Sequence, residues 1–554
     1  MVAIRSSRRD RPACERDSGY WQVKSAAYIL RMDATECAPR SVWPPPRPDE
    51  RTNSNLKPLP HSLAHALRHC LLALALVAVV PAPAANAAGG QPQLDQDELP
   101  DRIRTILDGY RIAPEDISIL VQGRGEAEPR LAHNVETERN PASVMKLFTT
   151  YAALEALGPG HTWETRIIAD GHVRDGVLHG DLWLIGEGDP LLTAEQFWRM
   201  LGSLHRRGIE RITGDLVLDH SRFADVERDP GEFDNRPYRA YNQPPHALLV
   251  NFNAIKFEFE TLDDDSTIRV STHPPLPNLP IDNRMRPNPE SWCSAYRWHI
   301  DFDIAEAGNP QKTAILDGNY GTDCGVGRLL RTAMPVEQYV HGLFSALWRH
   351  WGGDFRGGWR SDVWDDPDTE PLVSHESKPL TEVVQGINKF SNNVMTRQLA
   401  LSLAAEGMSG NVSEVSGRAA VREVLRDRGL DTTGMVLDEV AGLSRDNRVT
   451  ARHVADLLEL AGNSMYTPEF MASLPIAGVD GTLRKRLTDR PEAGNVRMKT
   501  GMINDVSAIA GYVRNAANED LIVVILINSP GVHRAGGRAA QDEIIRWVYR
   551  ETGG

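Results

Sequence analysis

The 554-residue chain contains five cysteines, nine lysines and no apolar run long enough to cross a bilayer. Each shortage excludes something. Cys14, Cys37 and Cys70 fall in the first 70 residues, and the remaining Cys293 and Cys324 have no paired Cys or His at ligand spacing, so no zinc site is expected. The longest apolar run, ten residues at 71–80, is half of the ~20 that a spanning helix needs. Positive charge is also scarce, with 61 Lys+Arg against 75 Asp+Glu and a net charge of −14. An acidic chain of this kind argues against nucleic acid, and against more than a loose association with an anionic membrane.

The N-terminal residues differ from the rest. Residues 1–60 carry Arg8-Arg9-Asp10-Arg11 and Pro44-Pro45-Pro46 without an apolar period, and are expected to be a disordered or non-native extension. Residues 61–87 read as a secretion signal: a basic flank at Arg68-His69, a short apolar run, then Ala85-Asn86-Ala87 as a small-x-small cleavage site near Ala88. Cys70 precedes the run, which is the wrong place for a lipoprotein cysteine. Cleavage would remove twelve Lys+Arg and seven Asp+Glu, moving the net charge from −14 to −19. Cys293 and Cys324, thirty-one positions apart in an oxidising compartment, then suggest one disulfide worth about 3 kcal/mol.

From residue 94 the chain reads as a globular protein. A charged amphipathic helix at 94–107 precedes a strand at 116–122 and a weaker one at 129–133. Residues 161–374 change texture to short strands and turns, with helices at 193–206 and 335–351, strand character at 248–259 and 267–270, and loops at 222–245 and 274–289. Gly186-Glu187-Gly188 runs into Asp189-Pro190 and is a turn, since a dinucleotide fingerprint would need a third glycine. Helical periodicity resumes at 379 and continues past 402, followed by helices at 416–428 and 451–461. Strands at 495–500, 506–514 and 521–528 and a helix at 537–550 close the chain. The terminal strands fit beside 116–122 in one antiparallel sheet with helices on its faces. The expectation is an α/β (α+β) domain formed by residues 88–160 and 375–554. A β-rich insertion, 161–374, divides it, with a smaller piece at about 175–247 nested inside.

The stretch Asn140-Pro141-Ala142-Ser143-Val144-Met145-Lys146 carries the first chemistry. Pro141 suits a helix start, and Ser143 and Lys146, three apart, share a face at about 5–6 Å. The apolar residues that follow, Leu147, Phe148, Tyr151 and Leu154, bury the helix, and Gly158-Pro159-Gly160 ends it. Burial and the positive end of the helix dipole disfavour an ammonium, which makes Lys146 a plausible base for Ser143. Ser-x-x-Lys by itself decides little, because roughly half an occurrence is expected by chance in so lysine-poor a chain. Two more motifs follow: Lys389-Phe390-Ser391-Asn392-Asn393, and Lys499-Thr500-Gly501 at a strand end. The last is expected by chance in only about one such chain in twenty.

In this order the three motifs resemble those of penicillin-binding proteins and serine β-lactamases. The intervals, 248 residues from Ser143 to Ser391 and 108 from Ser391 to Lys499, are unlike those of a class A β-lactamase. They resemble the class C penicillin-binding proteins, the D-alanyl-D-alanine carboxypeptidase/endopeptidase family. The likeness extends to Gly188-Asp189-Pro190, Asn251-Phe252-Asn253, Ala441-Gly442-Leu443-Ser444-Arg445 and Gly478-Val479-Asp480-Gly481-Thr482-Leu483. It implies a β-lactamase/DD-peptidase-like fold, a periplasmic serine DD-peptidase acting on peptidoglycan stem peptides, β-lactams as covalent inhibitors, and neither cofactor nor metal.

The resemblance also implies roles. Ser143 would be the nucleophile, Lys146 its base and Ser391 a proton relay to the leaving amine. Lys499 would set the local field, and Asn393 would bind the substrate backbone. The oxyanion hole would use the N–H groups of Ser143 and Met502, following Gly501, while Thr500 would face the terminal carboxylate. Relatives commonly carry Thr or Ser where this chain has Met502. The lost hydroxyl weakens the carboxypeptidase expectation and leaves endopeptidase action on cross-links more open, with Arg445 either an anion partner or a surface charge. A non-catalytic wall-binding protein, or a β-lactamase or esterase on the same scaffold, are the alternatives on these residues.

Overall fold

A computed structural model describes residues 99–551 except 227, 263–266, 295, 307–311 and 408–410. The expected extension at 1–60 and signal at 61–87 lie outside the described residues. Among the described residues, no helix is long and apolar enough to cross a membrane.

Alternating apolar side chains dictate a five-stranded antiparallel sheet in the order Val496–Ile503, Val506–Arg514, Asp520–Asn528, Ile117–Gly123, Leu131–His133. In Asp520–Asn528 one set of side chains, Leu521, Val523, Ile525 and Ile527, packs against the terminal helices Asp101–Tyr110 and Gly537–Glu551. The other set, Ile522, Val524 and Leu526, faces the core that holds the helices Lys146–Leu157 and Ala451–Asn463. A central strand buried on both faces reads as a continuous apolar run, which is how this one stood out.

Residues 164–376 form three further sheets. Seven strands, among them Glu164–Arg174, Val177–Gly186, Leu216–Asp219 and Val373–Glu376, make the largest. Two three-stranded sheets follow, with Ile255–Thr261 and Lys312–Tyr320 as their middle strands. Cys293 and Cys324 are bonded, their Cα atoms 5.0 Å apart. The helix Ala194–Arg206 begins at Thr193, whose hydroxyl and Gln196 form a capping box, and the helix Val336–His350 begins after Pro335.

Three local expectations are corrected. Residues 274–289 are not all loop, because Ile281–Pro287 pairs in parallel with Lys312–Tyr320. The apolar stretch at 248–259 holds a tight turn, Asn251–Asn253, before its strand starts at Ile255. The helical run from 379 is two helices, Leu380–Phe390 and Asn393–Gly407, broken at Ser391 in the left-handed region with φ 58°. Asn392 closes the break: its N–H donates to the Ile387 carbonyl and its side chain accepts from Met395 N–H.

Candidate active site

Ser143 lies in a single 3-10 turn, Ala142–Met145, and Lys146 opens the α-helix that follows. This tight turn replaces the continuous α-helix expected at Pro141. It is held from below. Ala142 adopts φ 45° and donates its N–H to Asn140 Oδ1 at 2.9 Å, while Asn140 Nδ2 reaches the Ser444 carbonyl at 2.8 Å. A left-handed alanine costs roughly 1–2 kcal/mol, which the surrounding hydrogen bonds must over-determine.

Lys146 is fully buried, and its Nζ donates to Ser143 Oγ at 3.0 Å, to Asn393 Oδ1 at 2.6 Å and to the Ala441 carbonyl. Burial pulls its pKa down from the ordinary lysine value to about 7, with the Glu439 carboxylate opposing and the Arg397 cation assisting. Near neutral pH a large fraction of Lys146 is therefore a free amine, able to accept a proton from the hydroxyl 3.0 Å away.

A second hydroxyl–amine pair faces the first. Lys499 Nζ donates to Ser391 Oγ at 2.8 Å and to the Thr500 carbonyl at 2.7 Å. Burial, and then the positive charge of Lys146, hold Lys499 well below the usual lysine range. Burial thus disfavours an ammonium at both lysines, and the Lys146 charge disfavours it further at Lys499. Below Ser391, the buried Lys389 clamps Asp480 at 2.7 Å and the Leu474 carbonyl at 2.6 Å, which docks Gly481 against the Lys389 backbone.

The strand Val496–Ile503 passes close to the Ser143 turn. A Cβ on Gly501 would stand 2.5 Å from the Pro141 carbonyl oxygen and 3.0 Å from the Ser143 nitrogen, so only glycine lets the two backbones meet. Thr500 Oγ1 donates to Thr482 Oγ1 at 2.9 Å. Met502 is 44% exposed. Arg445 is exposed as well, donating to the Asn504 carbonyl at 3.1 Å and lying 4.7 Å from the Phe233 ring centroid. Its partners here are a carbonyl and an aromatic face, not the carboxylate that a surface ion pair would supply.

Gly442 closes the floor. At φ 80° it is strained for any other residue, and a Cβ there would overlap the Ala142 carbonyl oxygen. Gly442→Ala is expected to displace the Ser143 turn and lower the acylation rate by about 100-fold, since small misplacements of reacting groups carry losses of that order. Stopped-flow acylation with a chromogenic β-lactam checks this.

A model of the D-Ala-D-Ala carboxypeptidase 3 (S13) family matches residues 101–551. The chain belongs to that family. It is 31% identical over 473 residues to the D-alanyl-D-alanine carboxypeptidase of Actinomadura sp. (strain R39), covering 81% of this chain and 84% of the relative. The D-alanyl-D-alanine carboxypeptidase DacB of Haemophilus influenzae is 28% identical over 402 residues, covering 72% and 82%. The crystal structure of penicillin binding protein 4 from Haemophilus influenzae superposes with a TM-score of 0.69 at 25% identity, over 81% of this chain and 99% of that one. This S13 peptidase therefore has the β-lactamase/DD-peptidase-like fold and is a serine-type D-Ala-D-Ala peptidase.

The structure brings Ser143, Lys146 and Asn393 into one hydrogen-bonded group and Ser391 and Lys499 into a second, close enough for the Lys146 charge to act on Lys499. Sequence reasoning missed what holds them. Arg397, one turn beyond Asn393 on the same helix face, pairs with Glu439 at 2.9 Å, and both are buried. The Tyr241 carbonyl accepts from Asn393 Nδ2 at 3.4 Å and from Arg397 Nη1 at 3.2 Å. A buried-charge signal was available for Arg397 only through the i, i+4 spacing from Asn393.

One cluster among the described residues has metal-ligand chemistry: His220, His246 and Glu337, with His246 Nε2 3.4 Å and His220 Nε2 3.9 Å from Glu337 Oε1. Leu248 N–H donates to His246 Nδ1 at 3.1 Å. A neutral His246 then carries its proton on Nε2, facing the carboxylate, whereas a metal there would need a lone pair on that nitrogen. The cluster fits a histidine–carboxylate contact that ties the ends of the 220–246 loop to the helix Val336–His350.

Proposed function

We propose that Ser143 attacks the carbonyl of a D-Ala peptide bond in a peptidoglycan stem peptide. The observation that carries this reading is Lys146 Nζ, fully buried and 3.0 Å from Ser143 Oγ. As the bond forms, the hydroxyl proton passes to the Lys146 amine, and the carbonyl oxygen becomes an oxyanion facing the N–H groups of Ser143 and Met502. Ser391, hydrogen-bonded to Lys499, relays a proton to the departing amine as the C–N bond breaks. Water then hydrolyses the ester, returning the hydrogen to Ser143. Asn393 orients the substrate backbone and Lys146 together, and Thr500 receives the terminal carboxylate.

The β-lactam ring offers the same carbonyl in a strained amide whose leaving amine stays tethered, so β-lactams should acylate Ser143 and persist. The Haemophilus influenzae penicillin binding protein 4 has been solved in complex with a β-lactam. The leader expected at 61–87 supports export to the periplasm, where stem peptides are accessible.

Met502 favours cleavage of cross-links over release of a terminal D-Ala. Its exposed thioether stands where a hydroxyl would help to hold a free carboxylate, and an acceptor joined through a simple side-chain amine presents no carboxylate beside the cut bond. Mass spectrometry of defined muropeptides tests this. Monomers from a cross-linked dimer, formed at least ten times faster than D-Ala is released from a pentapeptide, are the expected result. Preferential D-Ala release would overturn the endopeptidase preference, and a folded protein that cleaves neither would overturn the reaction.

A further inference from the structure

The base at this site is aimed by a loop carbonyl, and that loop is organised by one buried carboxylate. Glu439 uses its two oxygens in different directions. Oε1 accepts from Arg397 Nε at 2.9 Å, and Oε2 accepts from the N–H groups of Ala441 at 3.0 Å and Leu443 at 2.7 Å. Those two N–H groups flank the Ala441–Gly442 peptide, whose carbonyl accepts from Lys146 Nζ. Asn447, itself fully buried, fixes the backbone of Glu439, accepting from its N–H at 3.0 Å and donating to its carbonyl at 2.8 Å.

We propose that Glu439 is a positioning residue for the general base: it holds the Ala441–Gly442 peptide against Lys146 and balances the buried Arg397 cation, so that Nζ stays directed at Ser143. The proposal rests on the reading of Lys146 as the base. Arg397 extends the arrangement to the other side of the site. It donates to the carbonyls of Tyr241 and Gln243 at 3.2 Å each, and Asn393, one turn earlier, accepts from Lys146. Glu439 thus joins the loop that carries Ala441 to the helix that carries Asn393.

The titratable groups around Lys146 are Glu439 on its loop and Arg397 on the helix after Ser391, which both act on it, and Lys499 on the strand Val496–Ile503, whose ammonium the Lys146 charge disfavours. Of the three, only Glu439 is negative and supports a proton on Lys146. Burial works to raise the Glu439 carboxyl, but Arg397, the Leu443 N–H and Lys146 outweigh it and keep the group ionised. Removing that charge leaves the Arg397 cation unopposed. The ammonium becomes less favourable, and the acid limb of the acylation rate must move to lower pH.

Amide chemistry supplies the test. A glutamine at 439 can accept on one side, toward Ala441 and Leu443 or toward Arg397, but must present N–H on the other. The second-order rate of acylation by a fluorescent penicillin, measured from pH 5 to 9, is expected to respond in two ways in Glu439→Gln. Its plateau falls at least tenfold, and its acid limb shifts down by about one pH unit, the size expected for a charge several ångströms away. In Arg397→Met/Glu439→Gln both buried charges are gone and the amide oxygen is available to the two N–H groups, so the limb returns and most of the rate recovers. Replacing the pair by Arg397→Met/Glu439→Leu removes the acceptor and leaves the plateau at least tenfold low.

A folded Glu439→Gln protein with the limb unmoved, or with a plateau less than tenfold below that of the parent, overturns the proposal. If that variant does not fold, equal rates in the two double variants overturn it. Failure of the underlying reading looks different: the limb would then survive in Lys146→Met.

Discussion

Replacing Ser143 by alanine is expected to abolish covalent capture of a fluorescent penicillin and to lower D-Ala peptide-bond cleavage by on the order of 10⁶-fold, the scale seen when a serine nucleophile is removed. The loss is that large because Ser391 cannot substitute. Its hydroxyl is committed to Lys499 at 2.8 Å and sits at a helix break with φ 58°, whereas Lys146 donates to Ser143. The turn itself should survive. It is held by Asn140, Gly442 and Gly501 through backbone and amide contacts, none of which uses the Ser143 hydroxyl. Thermal unfolding of Ser143→Ala should therefore match the parent protein, within the ~0.5 kcal/mol usual for a substitution that removes no packing. A gel of labelled protein decides the matter, and stoichiometric label on a folded alanine variant would remove Ser143 from the mechanism.

Much of this was legible because local chemistry and global fold coincide at the motifs. Ser143 and Lys146 needed only three-residue spacing, and the strands at 506–514 and 521–528 announced themselves by apolar runs that the sheet buries on both faces. The features that were not legible depend on distant partners. The apolar period from 379 past 402 is continuous across Ser391, so nothing local marked the break that presents its hydroxyl to Lys499. Ile281–Pro287 is bounded by prolines and carries Asp282, Arg284 and Arg286, so it reads as loop until Lys312–Tyr320 lies beside it. Glu439 and Arg397 are 42 positions apart, and neither looks buried in sequence. Charged residues go inside only when a partner meets them, and the partner is chosen by tertiary structure.

The same reasoning gives Lys146→Met the second large effect. Methionine keeps a straight side chain of similar volume in a fully buried position, so packing is largely retained while the amine is lost. The missing amine no longer accepts the Ser143 proton, and acylation is expected to fall by about 10³- to 10⁴-fold, toward the upper range of a general-base contribution. The pH profile makes the assignment specific. Burial holds the Lys146 pKa at about 7, so the ammonium dominates below that value and the amine above it. Acylation by the parent protein should therefore rise about tenfold per pH unit up to about 7 and level off beyond, reaching roughly one tenth of its plateau at pH 6. In Lys146→Met that limb should vanish along with the rate, because the titrating group is gone. Rates of β-lactam acylation between pH 5 and 9 distinguish the outcomes. A limb that persists at about pH 7 in the methionine variant would transfer the base to another group, with Lys499 through Ser391 the first to test, since burial, the larger cause lowering its pKa, remains in that variant.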